Sequence, residues 1–128
     1  MKIPKVSGIG VDIESIQRFR DKEFEKNNKF YRRLFTDTEI DYCLSRRDPF
    51  PHFTVRFCAK EALKKALPQN LTLSWKDISI KNDENGKPII EFSQAFQEKS
   101  DIAGKISAHI SLSHDSTKAI AFVVLEID

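Results

Sequence analysis

The sequence predicts an α+β fold, in which an antiparallel sheet packs against helices. Two helical patterns with apolar stripes occupy the first half, one in FTDTEIDYCLSRR and one over about residues 51–67. A hairpin signal and alternating apolar residues dominate the second half, from about residue 78 onward. Helices grouped apart from antiparallel strands indicate α+β rather than alternating α/β architecture. The length of 128 residues fits a single domain, 1–128, with a modest core.

The composition argues against several classes of function. Hydrophobic residues make up 40% of the chain and charged residues 31%, as in an ordinary globular protein. The net charge of +2 is too small to argue for binding to nucleic acid. No apolar run is long enough for a signal peptide or a membrane span. We therefore expect a cytoplasmic protein that binds neither a membrane nor a nucleic acid.

The two cysteines, Cys43 and Cys58, both fall in helical patterns. They fit neither a disulfide framework nor a zinc site with ordinary ligand spacing. We expect reduced thiols that fill small spaces in the core.

A strand is predicted near the N-terminus, in the stretch VSGIGVDIES. Its apolar residues Ile9, Val11 and Ile13 alternate, which is the period of a strand. Asp12 and Glu14 then share the opposite face. We expect the neighbouring glycines to let a ligand approach the backbone closely. Taken alone, the two acids are better explained as a solvated strand face.

Helices are predicted between this strand and Pro68. Irregular apolar spacing over about residues 14–33 indicates a helix, a polar break near KNNK and a second short helix. Thr36 and Glu39 form a capping-box pattern at the start of the next helix, which should end before DPFP. The apolar stripe of the following helix consists of Val55, Cys58, Ala59, Ala62, Leu63 and Ala66.

The remaining elements are predicted to be mostly strands. Asn85-Gly86 indicates the turn of a hairpin, and Pro88 indicates that its return strand begins at an edge or that its pairing begins late. A short helix is predicted near residues 93–100. In KISAHISLSHD the apolar and polar residues alternate, so one strand face is apolar and the other polar. KAIAFVVLEI is apolar on both faces and should form a central strand.

Glu61 is surrounded by cations in RFCAKEALKKAL, with Lys65 four residues after it. One explanation is a surface ion pair between Glu61 and Lys65, worth a few tenths of a kcal/mol. The other is that Glu61 joins Asp12 on a hard cation such as Mg²⁺, with lysines nearby to hold substrate phosphates. Spacing alone favours the ion pair.

The tetrapeptide Ser113-His114-Asp115-Ser116 contains the residue types of a hydrolase triad. Consecutive residues rarely supply the geometry of a triad, and the chain has no nucleophile-elbow motif. The segment is better explained as a turn.

Six short segments occur in the order and at the spacing of a known family. They are GIGVDIESIQRF, FTDTEIDYC, RFCAKEALKKAL, LSWKDISI, NGKP and HISLSHD followed by KAIAFVVLE. Together they resemble the short holo-acyl-carrier-protein synthases of the 4′-phosphopantetheinyl transferase superfamily. The resemblance covers nearly the whole chain and implies one copy of that fold per chain.

The resemblance implies an enzyme that transfers 4′-phosphopantetheine from coenzyme A to a serine of an acyl carrier protein. Adenosine 3′,5′-bisphosphate is released, and Mg²⁺ is required. Asp12, Glu61 and Lys65 match the catalytic positions, with Asp12 and Glu61 as metal ligands. Glu14 matches a third metal ligand of the larger, two-domain transferases, and a ligand role for it is left open. The serine proton could pass to a carboxylate or to water on the metal.

Further residues match substrate and partner contacts of the family. The positions that match coenzyme A contacts are Arg46 or Arg47, Arg56, Lys60, Lys87, Pro88, Ser113 and His114. Arg18 and Arg20 match basic residues that dock the acidic carrier protein, although acids interrupt this basic run. The short synthases are trimers with sites between subunits, so the resemblance also implies a homotrimer. The carrier could serve fatty acid synthesis, polyketide synthesis or another pathway.

One segment departs from the family pattern. After the KEA helix this chain has LPQNLTL, where the short synthases usually have a glycine-rich turn. An alternative function is therefore a catalytically impaired module that binds a carrier protein or coenzyme A. A metal-dependent phosphohydrolase would use the same acids and is a third hypothesis.

Overall fold

The fold is taken from a computed structural model in which residues 5–128 are described. Residues 1–4, at the start of the segment for which no signal peptide is expected, lie outside the described residues. The strands are β1 (Lys5–Ser15), β2 (Ile78–Asn82), β3 (Pro88–Phe92), β4 (Ile106–His114) and β5 (Lys118–Ile127). The helices are α1 (Ile16–Arg20), α2 (Asn28–Leu34), α3 (Asp37–Ser45), α4 (Pro49–Ala66) and α5 (Gln94–Gln97). The α+β prediction is confirmed.

The strands form two antiparallel sheets. A three-stranded sheet has the order β1-β5-β4, so β5 is central, as predicted. Its register pairs Phe122 with Val11 on one side and with Ser111 on the other. β2 and β3 form the predicted hairpin, in which Pro88 opens β3 opposite Asn82. Gly86 in the turn has a φ of 82°, a left-handed conformation that glycine adopts without strain.

Helix α4 lies across the three-stranded sheet and forms one side of the main core. Every residue of the predicted apolar stripe is buried, against Ala119, Ala121, Val123 and Leu125 of β5. The helix begins at Pro49, two residues earlier than predicted, and the Asp48 side chain accepts a hydrogen bond from Phe50 N. Proline fits here because the first helical turn does not need its missing N–H group.

The glycines of β1 make room for α4 rather than for a ligand. A Cβ atom on Gly8 would lie 1.9 Å from Ala66 O, and one on Gly10 would lie 1.9 Å from Ala62 O. The expectation that these glycines admit a ligand is therefore wrong, because the backbone of α4 occupies that space. As a result, β1 and α4 are in direct main-chain contact.

A second core is aromatic and joins α1, α2 and α3 to the first half of α4. It contains Phe19, Tyr31, Phe35, Phe53 and Phe57, all buried. The predicted capping box of α3 is present, because Glu39 N donates to Thr36 Oγ1 and Thr36 N donates to the Glu39 carboxylate. The break between the first two helices is longer than KNNK and covers residues 21–27. Cys43 and Cys58 are buried free thiols, as predicted.

The outer face of the three-stranded sheet, on the side away from α4, is exposed, and it is apolar along β1 and β5 but polar along β4. Ile9, Val11, Ile13, Ile120 and Phe122 are each 40–61% exposed. We call these five residues the outer apolar face. The central strand β5 is thus buried on one face only within a single chain. None of the helices in residues 5–128 is both long and apolar enough to cross a membrane.

Candidate functional site

Three carboxylates lie near the buried thiol of Cys58. Asp12 and Glu14 lie on the face of β1 that points toward α4, and Glu61 is one helical turn after Cys58. Burial raises the pKa of Cys58 to about 12, and the charges of Asp12, Glu14 and Glu61 add to this effect. The fold therefore brings Glu61 of α4 near Asp12 and Glu14 of β1, and we call these three acids the carboxylate group.

Lys65 forms a hydrogen bond with Asp12, one of these three acids. Its Nζ donates to Val11 O at 2.9 Å and lies 3.3 Å from Asp12 Oδ1. The side chain is 55% exposed, so part of the ammonium group remains accessible. Lys64 points elsewhere, with its Nζ 3.4 Å from the centre of the Trp75 ring. Of the two lysines, Lys65 contacts the carboxylate group.

The carboxylate group fits a hard cation that is shared with a substrate. Lys65 binds Asp12 Oδ1, but the buried Asp12 Oδ2 has no hydrogen-bond partner among the described residues, which leaves this oxygen able to bind a cation. No group of three or more His, Cys, Asp and Glu side chains in residues 5–128 could hold a metal ion by itself. Mg²⁺ needs only one or two carboxylates when substrate phosphates and water complete its shell. Glu14 is already paired with Arg18 Nη1 at 3.0 Å.

A cavity of about 500 Å³ opens beside these acids. Glu14 and Glu61 lie on one side of it, and Phe57 and Trp75, stacked with ring centres 5.3 Å apart, form an apolar wall. Arg33 lies at its rim. This wall could not be predicted from the sequence, because aromatic residues at helical spacing are usually part of a core.

The two arginines expected to dock a carrier protein are already paired. Arg20 makes two hydrogen bonds to the carboxylate of Asp48, at 3.1 and 2.6 Å. These bonds hold the pKa of Asp48 below its usual value and raise that of Arg20. Arg18 is paired with Glu14 and also lies over the Phe57 ring, at 5.1 Å from its centre. Both arginines remain partly exposed.

A second, cationic group lies around the first half of α4. The buried guanidinium of Arg56 donates to His52 O and to Asn82 Oδ1, both at 3.3 Å, and lies 4.4 Å from the centre of the Tyr42 ring. The rings of His52 and His114 are 6.1 Å apart. We call Tyr42, Arg46, His52, Arg56 and His114 the cationic cluster. Tyr42 and His52 were not identified from sequence, because no motif links them to the other members.

Of the two adjacent arginines proposed for this region, the structure places Arg46 in the cluster. The guanidinium of Arg46 lies 5.6 Å from the centre of the Tyr42 ring. Arg47 is exposed, and the structure records no hydrogen bond or ion pair for it within residues 5–128. Arg46 therefore lies in the cationic cluster, and the choice between Arg46 and Arg47 as a coenzyme A contact stays a prediction.

Lys60 does not fit the contact with coenzyme A that the family resemblance implied. Its side chain is fully buried, and Nζ donates to Glu39 Oε1 at 2.6 Å, to Leu34 O at 2.9 Å and to Trp75 O at 3.0 Å. These three bonds use all the donors of the ammonium group. Burial lowers the pKa of Lys60, while the Glu39 charge favours its protonated form. This expectation is corrected: Lys60 ties α4 to α3 within the core.

The other predicted contact residues lie at the ends of strands. Lys87 and Pro88 border a cavity of about 430 Å³ between β3 and β4. Ser113 and His114 end β4, and Asp115 accepts hydrogen bonds from Thr117 N and Lys118 N. These bonds lower the pKa of Asp115 and form a turn, so the turn interpretation is confirmed over a triad.

The carboxylate group and the cationic cluster lie on opposite flanks of α4. The register pairs Glu14 with Ala119 and Ala119 with His114, so Glu14 and His114 are two strands apart at one end of the sheet. Ala119 lies between them in the core under α4. A single chain therefore does not bring all the predicted site residues into one cleft.

Comparisons with known proteins place this arrangement in a family. Residues 8–123 match the family model described as the 4′-phosphopantetheinyl transferase superfamily. A holo-[acyl-carrier-protein] synthase of Geobacter sp. (strain M21) is 41% identical, over 94% of this chain and 98% of that protein. A crystal structure of a holo-(acyl-carrier-protein) synthase from Bacillus anthracis in complex with CoA (3′,5′-ADP) matches with a TM-score of 0.76 and 31% identity. It covers 96% of this chain and 98% of that chain. A holo-[acyl-carrier-protein] synthase structure from Neisseria meningitidis matches with a TM-score of 0.83 and 28% identity, over 94% and 98% of the two chains.

Proposed function

Because the chain belongs to the 4′-phosphopantetheinyl transferase superfamily, as an enzyme of the holo-[acyl-carrier-protein] synthase type, we propose a Mg²⁺-dependent transfer. The 4′-phosphopantetheine group of coenzyme A passes to a serine of an acyl carrier protein, and adenosine 3′,5′-bisphosphate is released. The proposal of a metal site is supported by Asp12 Oδ2, which is buried and without a hydrogen-bond partner in residues 5–128 and lies near Glu61 and Lys65.

Asp12 and Glu61 are the metal ligands in this proposal. When bound, Mg²⁺ would neutralise charge on the pyrophosphate of coenzyme A. Glu61 has no hydrogen bond or ion pair recorded within residues 5–128, so its carboxylate is available to a ligand. Glu14 would have to leave Arg18 to become a third ligand, which makes it the weaker candidate.

The reaction joins the serine Oγ to the phosphorus atom that carries the pantetheine arm. The bond from that phosphorus to the leaving phosphate breaks, and its electron pair stays on adenosine 3′,5′-bisphosphate. Lys65 has two donors directed at Val11 O and Asp12 Oδ1, and its third N–H can stabilise the leaving phosphate. The serine proton must be accepted nearby, and a carboxylate of this site is the proposed acceptor.

A homotrimer would bring the two flanks of α4 into one site. The outer apolar face is large and hydrophobic for a monomer, and such patches usually mark interfaces. Copies of this chain are the proposed occupants, since the cationic cluster of one copy could then face the carboxylate group of the next. The cluster would hold the phosphates of coenzyme A while the acids act on its pyrophosphate.

The carrier protein would bind beside the cavity that borders Glu14 and Glu61. Arg18 and Arg33 lie at this cavity, whereas Arg20 is held by two bonds to Asp48. Docking of an acidic carrier should therefore depend more on Arg18 and Arg33 than on Arg20 and should weaken as salt rises. We propose that the enzyme works in the cytoplasm, in fatty acid biosynthesis.

Intact mass spectrometry tests the proposal directly. Apo acyl carrier protein is incubated with this protein, coenzyme A and Mg²⁺, with EDTA in a parallel sample. A metal-dependent gain of one phosphopantetheine on the carrier serine is expected. If the carrier mass stays unchanged although the carrier still binds, the chain is a binding module instead. If coenzyme A is consumed with no carrier present, the chain is a phosphohydrolase.

A further inference from the structure

His52 lies in the first turn of α4, where sequence patterns did not single it out. Its half-buried ring is 5.8 Å from the Tyr42 ring and 6.1 Å from the His114 ring. At this separation, ring N–H groups of both histidines can reach oxygens of one phosphate group. His52 therefore lies between Tyr42 and His114 within the cationic cluster.

The charges around His52 are mainly positive. Burial lowers the pKa of His52, and Arg56, Arg46 and His114 lower it further. Asp48 is the one recorded group that acts in the opposite direction, and its carboxylate is bound by Arg20. In the absence of a ligand, the excess of neighbouring positive charge thus disfavours the protonated form of His52.

Arg56 provides a second, independent sign that this cluster is built for an anion. Its side chain is 3% exposed, and Nε has no hydrogen-bond partner among the described residues. A cavity of about 280 Å³ borders Arg56 and Tyr42 on the side of β2, and His52 and His114 do not line it. A buried cationic donor without a partner is costly, and an anionic oxygen would satisfy it.

We infer that His52 is a phosphate-binding residue that takes up a proton when the nucleoside bisphosphate part of coenzyme A binds. The identity of this anion rests on the proposed function. The negative charge of a phosphate reverses the local field and favours the imidazolium form, which donates from both ring nitrogens. Binding of the substrate is thereby coupled to pH.

The sign of the pH dependence follows from this coupling. Ligand binding raises the pKa of His52, so affinity is highest at pH values at which His52 is already protonated without ligand. Affinity then falls as the pH rises and levels off above the pKa of the complex. The total change is about tenfold for each unit by which binding raises the pKa.

Isothermal titration calorimetry with adenosine 3′,5′-bisphosphate, and then with coenzyme A, tests this inference without any carrier protein. Titrations at one pH in two buffers with different ionisation enthalpies count the protons taken up. Repeating them from pH 6 to pH 8.5 gives the affinity profile. His52→Gln removes the titrating group and keeps a polar side chain. His109→Gln is the matched control for adenosine 3′,5′-bisphosphate, since His109 is exposed on β4 near Glu126 and outside the cationic cluster. His109 also lines the cavity bordered by Lys87 and Pro88, so this control is not used with coenzyme A.

Wild type and His109→Gln should take up more protons than His52→Gln, and their affinities should fall more steeply as pH rises. Equal proton uptake and parallel pH profiles in all three proteins would refute the inference. Absence of binding to wild-type protein would overturn it too, together with the proposed substrate. Proton-linked binding without transfer to any carrier would leave the role of His52 intact and reject only the proposed function. Thermal melts and elution volumes check that each variant is folded and assembled as wild type.

Discussion

The ammonium nitrogen of Lys60 lies 2.6 Å from Glu39 Oε1, and both side chains are fully buried. Glu39 Oε2 accepts a further hydrogen bond from Ile80 N at 2.9 Å. This one pair therefore connects α3, α4 and the β2–β3 hairpin. Breaking a buried ion pair is much more costly than replacing both partners, because the remaining charge is left without compensation.

Lys60→Met should lower the free energy of unfolding by about 3–5 kcal/mol. It leaves Glu39 charged in the core and removes the donor to Leu34 O and Trp75 O. Urea denaturation of wild type, Lys60→Met and the double variant Glu39→Leu/Lys60→Met measures the effect. The double variant should recover part of the loss. A folded Lys60→Met protein with unchanged stability and a higher KM for coenzyme A would show that Lys60 contacts substrate after all.

Asp12→Asn and Glu61→Gln should each lower transfer at least about 100-fold, because several kcal/mol of charge stabilisation at the phosphates are lost. Glu14→Gln should have a smaller effect, since Glu14 is paired with Arg18. Initial rates over a range of Mg²⁺ concentrations separate metal affinity from kcat. A larger Mg²⁺ requirement in Glu14→Gln than in Glu61→Gln would reverse the ligand assignment.

Lys65→Met should reduce kcat about 100-fold, the usual effect of removing one donor to developing negative charge. Lys64→Met is the matched control, because it changes the adjacent residue, whose ammonium group lies over Trp75. It should retain a rate within a few fold of wild type. Steady-state kinetics of both variants, at saturating coenzyme A, make the comparison. Similar losses in the two variants would mean that general positive charge, rather than the position of Lys65, matters.

Gly10→Ala should prevent the normal packing of β1 on α4, since the added Cβ would lie 1.9 Å from Ala62 O. We expect a loss of about 3 kcal/mol or more in stability, at the upper end for overpacked cores. Gly104→Ala is the control, because there the nearest atom is Gln97 O at 3.3 Å. Soluble yield and thermal melting of both variants measure the difference. A stable Gly10→Ala protein would contradict the main-chain contact.

Phe122→Glu should dissociate the proposed trimer while leaving each chain folded, because Phe122 is 44% exposed in a single chain. A charge at this position remains hydrated in a monomer but would be desolvated in an interface. Lys105→Glu adds the same side chain at an exposed position away from the outer apolar face. Light scattering coupled to size exclusion, together with transfer assays, compares the two variants. A Phe122→Glu protein that keeps its mass and rate would remove this face from the proposed interface.

The sequence predicted those elements whose signals are local. The capping box at Thr36 and the turn at Gly86 depend on residues within one turn of the chain, and both are present. The central position of β5 followed from its continuous apolar run. That run could not tell a fully buried strand from one that is half exposed, because a core and an interface require the same side chains.

The errors and omissions concern contacts between distant elements. The family resemblance implied that Lys60 contacts coenzyme A, whereas its partners Leu34, Glu39 and Trp75 come from three other parts of the chain. Gly10 looked like an opening for a ligand, because the position of α4 over β1 has no local signature. Asp12 and Glu61 were paired by family resemblance, since their spacing alone favoured ordinary surface roles.

The contact of Gly8 and Gly10 with α4 also bears on the entropy of the reaction. Asp12 and Glu61 are carried by two main chains that touch without intervening side chains, so neither element can slide relative to the other. Their relative position is fixed when the protein folds rather than when a substrate arrives. Acids that are already in position need little rearrangement in the transition state. Such preorganisation is the main source of electrostatic catalysis. Adaptation to different carrier proteins should therefore occur at the rim of the site and leave its acids in place.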